Sequence, residues 1–265
     1  MKYTYEELAK IIDHSLLHPT MTDQELEEGC KVAAKYGVAS VCIKPYAAKL
    51  AVELLRGTGV IVGCVIGFPH GNSATESKRY ETELACEDGA TEIDMVVNIG
   101  KAMSGDWEYV ERDIRAVCDE AHQRSAKVKV IFENDYLTKG GAGLSSDDFK
   151  RKLCQISERA GADWVKTSSG YGFIKQADGS YNYKGATEHD LALMRASCSA
   201  KVQVKAAGGV RDLDGLIKVR DLGGSRCGAT ATAAMLDEYR RREAEEKTGR
   251  ASATTSDGKI GAGGY

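Results

Sequence analysis

Short apolar runs and amphipathic stretches alternate along the whole chain. Runs of strand length lie at residues 11–17, 38–44, 60–68, 92–98, 127–133, 162–166, 202–205 and 226–229. The run 60–68 is nearly all apolar, as in a parallel strand buried on both faces. Helix signals fill the gaps. Thr4 with Glu7, and Thr22 with Glu25, have capping-box spacing. Ser145 with Asp148, and Asp212, mark two further helix starts, and Pro45 suits a first helical turn. Gly37, Gly57, Gly89, Gly161 and Gly223 stand where helices stop. Further helices are predicted over 106–124, 187–196 and 230–242. Eight strands alternating with helices predict an α/β fold, a (β/α)8 TIM barrel with a short N-terminal helix. A doubly wound sheet is the alternative. The barrel is expected over 1–243, and the Gly, Ser and Thr-rich residues 244–265 are expected to form a flexible tail. Residues 173–185 read as a polar insertion, too hydrophilic for core.

Three of the strands carry a charge amid apolar neighbours: Asp94, Lys166 and Lys205. Such residues are rarely buried without a partner, so the three point to one shared site. Each lies late in its strand, where a barrel gathers its functional side chains. Strand alternation turns Lys166 away from Val165 and Lys205 away from Val204, so both lysines can face inward. Burial and a second cation both disfavour an ammonium. A lysine made neutral in this way can attack a carbonyl to form a Schiff base, with Asp94 balancing the lysine that stays charged and relaying protons. The alternative is a buried Asp94–Lys205 ion pair, with Lys166 snorkelling to water. Residue types alone leave both open; the small-residue loops after the two lysines favour catalysis.

Composition narrows the classes. The 265 residues carry a formal net charge of -3, and the pI of about 6.0 argues against a nucleic-acid partner. No apolar run is long enough to span a membrane, and residues 1–7 lack a signal-peptide pattern, so a cytoplasmic location is expected. The 8 cysteines include no Cys-x-x-Cys pair and read as reduced, with Cys42 as a small core residue. His14, His18 and His70 lack metal-ligand spacing. Glu133 either supports the lysines or pairs with a surface cation. The run Arg240-Arg241-Arg242 reads as a solvated helix end.

Five phrases then stand out: Ile12-Asp13-His14-Ser15-Leu16-Leu17, Gly67-Phe68-Pro69-His70-Gly71, Glu92-Ile93-Asp94-Met95-Val96-Val97-Asn98-Ile99-Gly100, Val165-Lys166-Thr167-Ser168-Ser169-Gly170 and Val204-Lys205-Ala206-Ala207-Gly208-Gly209-Val210-Arg211. Together and in this order the chain resembles the deoxyribose-phosphate aldolases, a family of class I (Schiff-base) aldolases. The resemblance implies Lys166 as the Schiff-base lysine, Lys205 as the residue that perturbs its pKa, and Asp94 with Lys205 as a proton relay. It implies reversible cleavage of 2-deoxy-D-ribose 5-phosphate to acetaldehyde and D-glyceraldehyde 3-phosphate, with no cofactor and no metal, because the iminium is the electron sink. Phosphate binding is implied at Gly208, Gly209, Arg211, Gly228 and Thr230. The implied partners are small aldehydes and sugar phosphates and a second copy of the chain, as a homodimer, with no nucleic acid and no membrane.

Some residues depart from the family pattern. Thr230-Ala231 replaces the usual serine pair, and Tyr171 stands where some members place a lysine. A weakened phosphate preference is therefore expected, with Lys175 or Lys184 of the insertion as the compensating cation. Asn134-Asp135 and Lys44 are also unusual. The tail, ending in Tyr265, resembles tails expected to close over the site. A Schiff-base aldolase with another donor, a sugar-phosphate epimerase, and a non-catalytic sugar-phosphate binder remain as rivals at this point.

Overall fold

In the computed structural model, which describes residues 1–248, 258, 260 and 261, the eight apolar runs pair edge to edge and close on themselves. The barrel strands are β1 (Ile12–Leu16), β2 (Ser40–Ile43), β3 (Ile61–Ile66), β4 (Glu92–Val96), β5 (Lys127–Ile131), β6 (Trp164–Lys166), β9 (Gln203–Ala207) and β10 (Gly224–Ala229). All neighbours are parallel, and β1 bonds to both β2 and β10. That last pairing excludes an open doubly wound sheet and makes the fold a (β/α)8 barrel.

Parallel neighbours need crossover connections, which the predicted helices supply. Both capping boxes form: Thr4 opens α1 (Tyr5–Ala9) and Thr22 opens α2 (Asp23–Tyr36). Then come α3 (Ala48–Leu55), α4 (Thr75–Glu87), a short α5 (Ile99–Met103) that the pattern did not reveal, α6 (Trp107–Gln123), α7 (Ser146–Ala160), α8 (Glu188–Ser197), α9 (Leu213–Asp221) and α10 (Thr232–Lys247). Ser145, Thr187 and Asp212 cap α7, α8 and α9 through their side chains. Ile93, Val128, Val130, Val165 and Val204 pack into the buried layer beneath the helices. Strand alternation sends Glu92, Asp94, Lys129, Lys166 and Lys205 to the other face.

Pairing stops earlier than the apolar runs. The run 60–68 is strand over six residues only, because Gly67 turns the chain with φ of 54°. The insertion is a small antiparallel hairpin, β7 (Ile174–Lys175) with β8 (Tyr181–Asn182). Its tip is exposed as its polarity implied, but Tyr183 at its end is buried.

Helix α10 corrects two expectations. It continues past 243, so the expected boundary between barrel and tail falls inside a helix that ends at Lys247. Arg242 is buried and bonds the Asp214 carboxylate at 2.5 and 2.8 Å and Glu238 at 2.7 Å, so it is no solvated helix end. Of the tail, Ile260 packs against the core and Gly258 is buried. The rest of the tail reading, the role of Tyr265 included, lies outside the described residues. No helix among the described residues is long and apolar enough to cross a membrane.

Candidate active site

Register builds the site. Lys166 pairs with Lys205 across β6 and β9, Asp94 with Lys129 across β4 and β5, and Lys205 with Arg226 across β9 and β10. Lys166 Nζ donates to Asp94 Oδ2 at 2.7 Å, and Lys205 Nζ donates to the same oxygen at 2.7 Å. The three expected residues therefore meet at one atom. Lys166 does not snorkel; its side chain is 2% exposed.

Four more charged residues join them. Lys205 Nζ lies 2.5 Å from Asp13 Oδ2. Lys129 Nζ lies 2.5 Å from Glu92, 2.9 Å from Asp94 Oδ1 and 3.2 Å from Asp13. Arg226 closes the network at 2.7 Å from Glu92 and 3.2 Å from Asp13. Sequence reasoning missed these four. One signal was available: Glu92 and Asp94, like Lys127 and Lys129, alternate with apolar residues, so one member of each pair accompanies the charge already suspected.

The electrostatics separate the lysines. Burial pushes the Lys166 amine below the ordinary lysine range; Asp94 opposes this and the charge on Lys205 reinforces it. Burial also acts against a charged Lys205, but Asp13 and Asp94 outweigh it and hold this amine above the ordinary range. Lys129 is likewise held up, by Asp13, Asp94 and Glu92 against its burial. Asp94 is buried too, which favours its acid form, yet Lys129, Lys166 and Lys205 keep it ionised. Burial thus disfavours the charged form of Lys166, while the two amines beside it are held charged by their carboxylates. The like-charge effect of Lys205 is present, second to burial.

A cavity of about 90 Å³ opens from these lysines at the C-terminal ends of the strands. Gly208, Gly209, Arg211, Gly228 and Thr230 all line it, beside Lys166, Lys205 and Ser169. Lys175 and Lys184 do not; both are exposed. Tyr183 lines it instead. The Asp135 carboxylate accepts hydrogen bonds from the amides of Lys184 at 2.6 Å and Gly185 at 3.0 Å, which clamps the base of the hairpin and accounts for one of the unusual residues. Cys42 is more than core packing: it lines the cavity, with Sγ 3.8 Å from Asp94 Oδ2, and burial raises its thiol pKa. Lys44 donates to the carbonyls of His18 and Met21, both at 3.1 Å. Tyr171 packs edge-on against Phe68. His14 bonds Thr232 at 2.8 Å, and burial pushes it down to about 4. No group of residues suited to hold a metal occurs among the described residues.

The comparisons with known proteins agree with this geometry. Residues 8–235 match the profile of the DeoC/LacD family aldolases. The chain belongs to that family. A deoxyribose-phosphate aldolase of Rhodopirellula baltica is 48% identical over 239 residues, covering 90% of this aldolase and 92% of that protein. One from Clostridium perfringens is 42% identical over 232 residues, 88% and 95% of the two chains. The solved deoxyribose phosphate aldolase of Aeropyrum pernix, described as tetrameric, superposes with a TM-score of 0.75 at 28% identity, over 89% of this aldolase and 92% of that chain.

Glu133 lies on the side of the lysines, whose charge it feels. It is buried at φ 59°, and its carboxyl accepts from the Ser169 amide at 3.1 Å and from the Ser169 hydroxyl. It thereby fixes the loop after Lys166, and among the described residues it makes no ion pair with a surface cation. Burial pushes it up to about 7 from an ordinary 4.5. Between these values the unfolded chain has released this proton and the folded chain keeps it. Its contribution therefore falls as pH rises through that window and is level above it. The span of roughly 2.5 units is worth about 3 kcal/mol. Glu133→Gln should remove this slope, so the stability of the variant relative to the parent should rise by about that amount between pH 4.5 and 8. Denaturant unfolding at several pH values measures it; parallel stability curves would refute the assignment.

Proposed function

We propose that this aldolase cleaves 2-deoxy-D-ribose 5-phosphate reversibly to acetaldehyde and D-glyceraldehyde 3-phosphate through an imine on Lys166. The observation that carries the reading is the unequal treatment of two neighbouring lysines on the shared oxygen of Asp94: burial pushes Lys166 below the ordinary lysine range, while Asp13 and Asp94 hold Lys205 above it against its burial. The neutral amine adds to C1 of the open-chain sugar, and loss of water leaves the iminium. The C3 hydroxyl gives up its proton through the Asp94–Lys205 pair, the C2–C3 bond breaks, and its electrons move into the iminium. The resulting enamine takes a proton at C2, and water releases acetaldehyde. The relatives named above support this choice of substrate. An epimerase has no need of a nucleophilic lysine, and a passive binder has no need to shift two adjacent lysines in opposite directions.

The phosphate end of the substrate fits the rim formed by Gly208, Gly209, Arg211, Gly228 and Thr230. Helix α10 begins there without a side-chain cap, so its first amides remain for an anion. Thr230 offers a hydroxyl and Ala231 none, and the insertion lysines are outside the cavity, so Arg211 is the compensating cation and the preference for phosphate is reduced. A homodimer in the cytoplasm completes the proposal. Sedimentation equilibrium reads the assembly: a species of two chains is expected, and four chains, as in the Aeropyrum pernix relative, would refute it.

Lys166→Ala should abolish both turnover and the adduct trapped by borohydride with acetaldehyde. Lys205→Leu should lower activity strongly and move the acidic limb of the pH–rate profile upward, because Lys166 then deprotonates less readily. Peptide mapping that places the adduct on Lys205 would reverse the roles. Arg211→Ala should raise KM for the 5-phosphate by about one to two powers of ten, the loss of one charge-assisted contact of about 1.5–3 kcal/mol. Kinetics with unphosphorylated 2-deoxyribose should be little changed; an equal loss with both sugars would refute the phosphate role.

A further inference from the structure

The ion network does not end at the reacting lysine. It runs down the barrel interior to the opposite mouth, where Arg226 is 15% exposed and lies over the Trp164 ring, 5.2 Å from its centroid. There it lines an open cleft at the N-terminal end with Lys10, Lys127 and Ser225. Four cationic side chains, Lys129, Lys166, Lys205 and Arg226, share three carboxylates, Asp13, Glu92 and Asp94. The set is neutral when one of the four carries no proton. Arg226 cannot be that one, because guanidinium stays charged in proteins. Lys129 touches all three carboxylates and Lys205 touches two, whereas Lys166 touches one that is already shared.

We propose that Arg226 is a positioning residue for the aldol reaction: from the far end of the barrel it occupies Asp13 and Glu92, and this leaves Lys166 as the amine without a carboxylate of its own. The other groups that face Lys166 are Asp94 on β4, Lys205 on β9, Cys42 on β2 and Glu133 after β5, with Lys129 on β5 bound to the same Asp94. None of them is itself replaced when Arg226 is changed; Arg226 is four ion pairs from Lys166, through Glu92, Lys129 and Asp94 or through Asp13, Lys205 and Asp94. The inference rests on the assignment of the imine to Lys166.

Two measurements keep the two claims apart. The first titrates Lys166 without substrate, by NMR of enzyme labelled with 13C-lysine, the resonance being assigned with Lys166→Met. Arg226→Met removes a cation, so the Lys166 midpoint should rise by about 0.5–1 unit, less than the 1–3 units of a charge in direct contact. Glu92→Gln removes an anion and should lower it by a similar amount. Arg226→Lys should restore the parent value. Opposite shifts from two residues at the same place are not produced by loosened packing. The second measurement follows borohydride trapping of acetaldehyde against pH, and its acidic limb should move in the same two directions. If Arg226→Met does not fold, the near-isosteric Glu92→Gln decides alone. A Lys166 midpoint unmoved in both variants, or moved the same way in both, overturns the role of Arg226 even when trapping still lands on Lys166. The expected opposite shifts with no adduct on Lys166 would leave the role of Arg226 in setting its charge standing and overturn the functional reading.

Discussion

Charge neutrality inside a closed barrel is the constraint on which the site depends. An unpaired ion in a dry interior is strongly disfavoured. Here four cationic side chains meet three carboxylates in the barrel interior, so the charged form of one amine is disfavoured. The same burial that makes the network demanding for folding lowers the pKa of one amine. Lys166 is that amine, and it has the poorest share of carboxylate, one contact to an Asp94 that Lys129 and Lys205 also hold.

Strand register makes this condition geometrically possible. Lys166, Lys205 and Arg226 follow one another across β6, β9 and β10, while Asp94 faces Lys129 across β4 and β5. Because side chains alternate along a strand, a slip of one residue would send these charges into the helix layer and bring valines to the axis. The packing of Val165 and Val204 against the helices therefore also fixes the site. A barrel suits the purpose because closure lets β1 contribute Asp13 to a group assembled mostly from β4 to β10.

Much of this was legible in the chain itself. The capping boxes, the eight apolar runs and the charged residues within three strands are local features, and local periodicity reports them well, although only Lys166 ends its strand while Asp94 and Lys205 are central in theirs. What escaped depends on contacts distant in sequence. Lys129 looks like the polar half of an alternating strand, and its burial follows from three carboxylates on β1 and β4. Arg226 begins a run and looks like a strand end. Arg242 resembles a surface cation until Asp214, on another helix, is placed beside it. Glu133 could not be assigned without the fold of the Ser169 loop, and Cys42 and Tyr183 line the cavity for reasons no neighbouring residue announces.

The clamp that Asp135 places on the amides of Lys184 and Gly185 has a consequence for how this barrel can diversify. The hairpin is fastened at its base, on the side where Tyr183 meets the cavity, while its tip around Asp178 and Gly179 is exposed. Lengthening a surface loop costs little, since closure entropy grows only slowly with length. The tip is therefore free to drift, lengthen or carry a foreign segment while the residues beneath it keep their positions. Chain length at this point and the shape of the reaction chamber become separate variables, one open to neutral change and the other held.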